Sequence, residues 1–213
     1  ITTTYGNIEI DETLNNTSLN TVHGNIKVKN AKGSVSAITE FGNIDVSYYG
    51  KAYFKNERGS IKVNFVNSNL SNLSGVNLDK EYNKTCDIIT GKGVVDATNL
   101  TYETTITSNG GRINAQFSEM YEASQKEENN IGLVVNHKVI LNGGSANIQI
   151  PSLKAFMFKG NGNIGGEVGS TVMTANKEYT VVVGETGSDL LAHFEVDAKG
   201  GNANFSTYWK TTD

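Results

Sequence analysis

The sequence predicts an all-β chain wound as a single-stranded parallel β-solenoid (a β-helix) with coils of about 18 residues. Three observations carry this. A phrase recurs as Tyr5-Gly6-Asn7-Ile8-Glu9-Ile10, His23-Gly24-Asn25-Ile26-Lys27-Val28, Phe41-Gly42-Asn43-Ile44-Asp45-Val46 and Arg58-Gly59-Ser60-Ile61-Lys62-Val63. Its glycines are spaced by 18, 18 and 17 residues. Within each phrase apolar and polar residues alternate, which puts one set on each face of a strand. An amphipathic helix would need apolar spacings of three and four instead.

The elements follow in order. Between the glycine corners lie weaker half-coils: one opening at Asn15, with Thr17 and Leu19 in the apolar slots, then Gly33-Ser34-Val35-Ser36-Ala37 and Lys51-Ala52-Tyr53-Phe54. The elementary unit is thus about nine residues, two per coil. Stacking in parallel aligns Ile8, Ile26, Ile44 and Ile61 in one inward column, with Ile10, Val28, Val46 and Val63 beside it. Glu9, Lys27, Asp45 and Lys62 then form an outward row of alternating sign. Asn7, Asn25 and Asn43, closed by Ser60, form a corner column suited to hydrogen bonding along the axis. Later phrases at Gly75, Gly93, Gly111, Gly144, Gly162 and Gly201 keep the beat with gaps, which extrapolates to roughly ten to twelve coils.

Two stretches break the pattern. Asn64 to Leu73 is rich in Asn and Ser and is expected to loop out, and Ser118 to Asn130 reads as a short helix or loop inserted between coils. Beyond it the strands lengthen, and Asn142-Gly143-Gly144 and Lys199-Gly200-Gly201 are compatible with hairpin turns of a β-sandwich or with corners of a wider solenoid. The persistent period favours continuity. The chain therefore divides into regular coils over 1–66, irregular coils with an insertion over 67–130, and longer-stranded coils over 131–213, all in one domain. At the C-terminus, Phe205, Tyr208 and Trp209 are expected to cap the last coil, with Trp209 or Tyr208 packed over it.

Composition narrows the function classes. Hydrophobic residues make up 37% and the net charge is −4, with a pI near 5.4 and no basic stripe, so nucleic acid is an unexpected partner. No apolar run is long enough to span a membrane as a helix, and no signal peptide is read within these residues. The chain opens at Ile1, inside a repeat and without Met, so further residues are expected upstream, with room among them for a signal, an anchor or another domain.

Candidate chemistry is sparse. Calcium β-rolls place Asp at the corner; here Asn7, Asn25 and Asn43 stand there, and even Gly160-Asn161-Gly162-Asn163-Ile164-Gly165-Gly166 holds no Asp, so no calcium is expected. That glycine-rich stretch also lacks the Gly-Lys-Ser/Thr ending of a phosphate loop. His23, His137 and His193 show no metal-ligand spacing, His23 being a surface position, and the lone Cys86 is expected to be a buried thiol. A β-helix carrying a polysaccharide lyase or hydrolase would need paired carboxylates; Asp87 and Asp96 come nearest. The sequence thus nominates no catalytic, cofactor-binding or metal-binding residue, and no cofactor.

The Gly-Asn-Ile-x-Val and Gly-Ser-Ile-x-Val phrases resemble those of the bacterial adhesin-like β-solenoid domains, most closely over residues 1–66 and recurring to residue 205. The resemblance implies a non-enzymatic protein of the bacterial cell envelope or exterior, acting as a surface scaffold or binding module. Its partner would be a surface ligand, protein or polysaccharide, and a membrane anchor would lie outside this chain. The alternatives are a polysaccharide-active β-helix enzyme and a calcium-binding β-roll.

Overall fold

The computed structural model describes residues 1–66, 85–118, 135–151, 155–184 and 192–208. The expected loops after Val66 and after Ser118, the Gly75 phrase and Trp209 fall outside these, wholly or in large part. Five coils are strand pairs: β1 (Thr2–Tyr5) with β2 (Ile8–Thr13), β3 (Thr17–His23) with β4 (Ile26–Ala31), β5 (Val35–Phe41) with β6 (Ile44–Tyr48), β7 (Ala52–Arg58) with β8 (Ser60–Phe65), and β9 (Cys86–Thr90) with β10 (Val94–Leu100). Further on, both strands of a coil run through the corner as one, in β11 (Thr104–Phe117), β12 (Val135–Pro151) and β13 (Ala155–Val168). The short strands β14 (Thr171–Met173) and β15 (Tyr179–Gly184) precede the long β16 (Ala192–Tyr208).

All sixteen strands belong to one sheet that curls around a single core. Its order is β1-β3-β5-β7-β9-β11-β10-β8-β6-β4-β2, with β11 serving one face with its first half and the other face with its second. Pairing along both faces is parallel, so the fold is the all-β parallel solenoid that the period predicts. The expected columns form in register. Ile8, Ile26, Ile44 and Ile61 are buried and continue as Val95, Ile113 and Ala146. Ile10, in the first coil, is only half-buried, while Val28, Val46 and Val63 behind it are buried. On the opposite face Leu19, Ala37, Phe54, Ile88 and Ile106 pack inward. β-Branched side chains suit this because their restricted rotamers already match a pleated, half-buried surface.

The glycine corners have a specific cause. A Cβ at Gly24 would collide with the Gly6 carbonyl oxygen, and one at Gly42 with that of Gly24, so stacking itself demands glycine. The corner backbone is further held from inside. Thr39 Oγ donates to the Gly24 carbonyl at 3.1 Å, and Gly93 and Gly111 donate their N–H groups to Thr90 Oγ at 3.1 Å and Ser108 Oγ at 2.9 Å. These hydroxyls form the buried column Thr21, Thr39, Thr90 and Ser108, interrupted by Asn56.

Two expectations are corrected. The coil count is lower: five strand pairs plus β11, β12, β13 and β16 make nine coils among the described residues. β7 pairs directly with β9, β8 with β10, and β11 with β12, so the long intervals from Gly59 to Gly93 and from Gly111 to Gly144 are one coil plus an insertion each. An insertion of nearly one period is indistinguishable from a coil by counting. The second correction is order. β16 lies between β12 and β13, in parallel with both, so the last coil in the chain is not the last in space. The outer edge of β13 is covered by antiparallel β15 along Ala155–Gly160 and β14 along Gly166–Val168. These strands, and not the Phe205–Tyr208 segment of β16, lie beyond the final coil.

The outward charges are compatible with this order. Lys138, Glu195 and Lys159 align in one outward row across β12, β16 and β13, and Lys138 Nζ meets Glu195 at 2.8 Å. Stacking in chain order would set Lys138 directly against Lys159. Two aromatic residues of β16 fill the core, one on either side of its corner. Phe194 packs against Phe117, His137 and Phe156, and Phe205 meets Phe158 edge-on.

Candidate functional site

The outward surface is built of register rows. On the β2–β4 face, Glu9, Lys27, Asp45, Lys62, Asp96, Asn114 and Asn147 follow one another rung by rung. Lys27 lies 3.5 Å from Glu9, Asn114 Nδ2 donates to Asp96 at 2.7 Å, and Asn147 Nδ2 donates to Asn114 at 3.2 Å. In the first two coils, Lys29 meets Asp11 at 2.6 Å and Lys32 meets Glu12 at 2.9 Å. The Lys29 contact lowers the pKa of the Asp11 carboxyl and raises that of the lysine, chiefly through their hydrogen bond.

The corners carry rows of their own. The Asn column bridges coils through backbone donors: Asn25 N–H donates to Asn7 Oδ1 at 2.9 Å, Asn43 N–H to Asn25 Oδ1 at 2.9 Å, and Ser60 N–H to Asn43 Oδ1 at 2.8 Å. Beside it, Tyr5, His23 and Phe41 stack with centroids 5.1 and 4.9 Å apart and planes within 11° of parallel, and the Arg58 guanidinium lies 5.9 Å from the Phe41 centroid. The ring faces inside this stack cover one another and leave edges to solvent. His23 and Phe41 thus offer no open face on which a sugar could stack, although the column is exposed.

The structure separates the weighed candidates. Asp87 lies outward on β9 and Asp96 outward on β10, on different faces with buried Ile88 and Val95 between, so the two carboxylates do not converge. His137 is buried, stacked on Phe194 at 4.9 Å, and its Nδ1 has no partner. Burial pushes its pKa down to about 3. His193 is half-buried on β16, one position from inward Phe194. Cys86 is buried as a free thiol; burial pushes its pKa up to about 12, and it shares a hydrogen bond with the Tyr48 hydroxyl. Gly160–Gly166 lies within β13, where Gly160, Gly162 and Gly166 let the chain pack closely against side chains and β16. Among the described residues no three His, Cys, Asp or Glu side chains gather as a metal site.

Sequence reasoning missed one feature. An outward row on the β3–β5–β7 face runs Ser18, Ser36, Tyr53, Asp87. Two serines followed by a tyrosine leave a step, and there a shallow groove of about 280 Å³ opens, lined by Ser18, Ser36, Lys51 and Tyr53. Asn16 and Ser34 complete its rim, joined by a 2.6 Å hydrogen bond from Ser34 Oγ to Asn16 Oδ1. The signal was in the sequence: small polar residues at 18 and 36 precede a large one at 53 in the same slot. Compared with known proteins, the chain matches no family model, no curated protein and no solved structure.

Proposed function

We propose that this chain is a non-enzymatic binding module or scaffold displayed at the cell envelope, with its long flat faces as the working surface. The observation that carries the reading is the outward register: polar rows run from coil to coil at about 4.8 Å spacing, and several rungs are tied by ion pairs, Lys27 to Glu9, Lys29 to Asp11 and Lys138 to Glu195. Such a surface is stiff and repetitive, as solenoid binding faces are. Some of its outward carboxylates serve the rows: Asp96 accepts from Asn114, and Glu9 and Glu195 pair with lysines of the next rung. The resemblance to bacterial adhesin-like solenoids supports the envelope assignment.

The test pairs binding with catalysis. The full chain, fluorescently labelled, is titrated against isolated cell walls, a polysaccharide panel and surface-protein extracts, while release of reducing ends and of unsaturated uronates is followed in parallel. Saturable binding without cleavage agrees with the reading. Catalytic turnover of any polysaccharide, or absence of saturable binding throughout, would overturn it. Antibody labelling of intact against lysed cells tests the location separately.

A further inference from the structure

We propose that the groove beside Tyr53 is a saccharide subsite that takes a pyranose carrying a carboxylate, an inference that rests on the binding-module reading above and assigns it a place and a ligand class. The groove differs from the bonded stretches of the outward surface, where Lys27 meets Glu9, Lys29 meets Asp11 and Asn114 donates to Asp96. Here, among the described residues, Ser18, Ser36, Lys51 and Tyr53 make no side-chain hydrogen bond or ion pair. Asn16 uses its Oδ1 on Ser34 and keeps its Nδ2 donors for a partner. The result is a row of free hydroxyl and amide groups across three coils, about 10 Å long at strand spacing.

This set of groups matches a sugar ring. Hydroxyls and amides on the protein exchange hydrogen bonds with vicinal hydroxyls, each able to donate and accept. Tyr53 supplies an apolar body with a polar tip, and its column neighbour Ser36 is too small to cover it as Tyr5, His23 and Phe41 cover one another.

The charge selects within the class. Among the described residues, Lys51 is the single charged residue lining the groove. Lys55 lies one outward slot along β7 from Tyr53, and Asp87 stands on the far side of Tyr53, one rung beyond the groove. Among the described residues, two ammonium groups against one carboxylate favour an anionic ring, on a chain whose overall charge is −4.

The experiment uses the full chain, isotopically labelled, titrated with trigalacturonate and with the same trisaccharide after reduction of its carboxyls to alcohols. The expected result is saturable shift changes confined to residues 16–18, 34–36 and 51–53, with the acidic sugar binding about fivefold more tightly. Lys51→Gln should remove that preference and leave neutral binding, whereas Tyr53→Ala should weaken both sugars; circular dichroism of each variant confirms the fold. No shift with either sugar, shifts elsewhere, binding unaffected by Tyr53→Ala, or equal affinity for the two sugars would each overturn the proposal. Continued saturable binding of Tyr53→Ala to cell walls would refute the groove while leaving the wider binding-module reading intact, so the two failures are separable.

Discussion

Acid should unfold this protein partly through one histidine. His137 occupies an inward slot of β12 between buried Val135 and Val139. Phe117 and Phe194 pack on its ring, and Thr104 is its register partner on β11. No charged group is among these neighbours, and burial alone lowers its pKa from 6.5 to about 3. The folded state therefore holds the imidazole neutral, whereas the unfolded chain binds a proton below pH 6.5. Stability from this group is complete above pH 6.5 and is lost progressively as pH falls toward 3, at up to ~1.4 kcal/mol per pH unit. At pH 4.5 the loss is roughly 3 kcal/mol. The perturbation is His137→Phe, which extends the aromatic column of Phe194 and removes the unpartnered Nδ1. Relief of that buried polar atom is worth ~1–3 kcal/mol, so the variant should match or exceed the natural protein at pH 7.5. Urea midpoints by circular dichroism at pH 7.5, 6.0, 5.0 and 4.5 make the assay. The gap between the proteins should widen steadily below pH 6.5, because paired carboxylates such as Asp11 contribute equally to both. Parallel curves for the two proteins would refute the reasoning.

Further outcomes are expected elsewhere. Ile44→Ala empties a fully buried slot in the central column and should cost about 2–5 kcal/mol in urea unfolding, while Ile10→Ala, half-buried in the first coil, should cost less. Glu195→Lys sets three ammonium groups in the row with Lys138 and Lys159; the melting temperature should drop and recover partly in high salt. Asn25→Ala removes the acceptor of the Asn43 N–H and should cost about 1 kcal/mol, read by faster hydrogen exchange at Asn43. Thermal melts with calcium and with chelator should overlay, since the corner columns carry neutral amides where calcium would need carboxylates.

The first four coils were legible because two independent periods agree there. Alternation sets the face of Ile26 and Ile44, and the 18-residue repeat sets their register. The second half was less so. Almost two periods of sequence separate Ala52 from Cys86, and only their direct pairing shows them to be neighbouring rungs. The inversion of β13 and β16 is a long-range choice that local patterning does not encode. Its trace is the row Lys138, Glu195, Lys159, which alternates in sign only when read in spatial order. His137 was readable as core from Val135-x-His137-x-Val139, but a histidine carries no hydrophobic label in such a pattern. The groove escaped notice because outward residues were read for charge, whereas its signal is side-chain size at Ser18, Ser36 and Tyr53.

The central claim is a parallel, in-register stack whose last rungs are ordered β12, β16, β13. Interstrand nuclear Overhauser contacts of the backbone, measured on the intact, deuterated chain, test it most directly. The account predicts contacts between Ile26 and Ile44, between Val139 and Val196, and between Phe158 and Phe194, each about 4.8 Å apart across parallel strands, and none between the backbones of β12 and β13. Direct contacts between β12 and β13, with β16 on the outside, or an antiparallel pattern between Ile26 and Ile44, would contradict it.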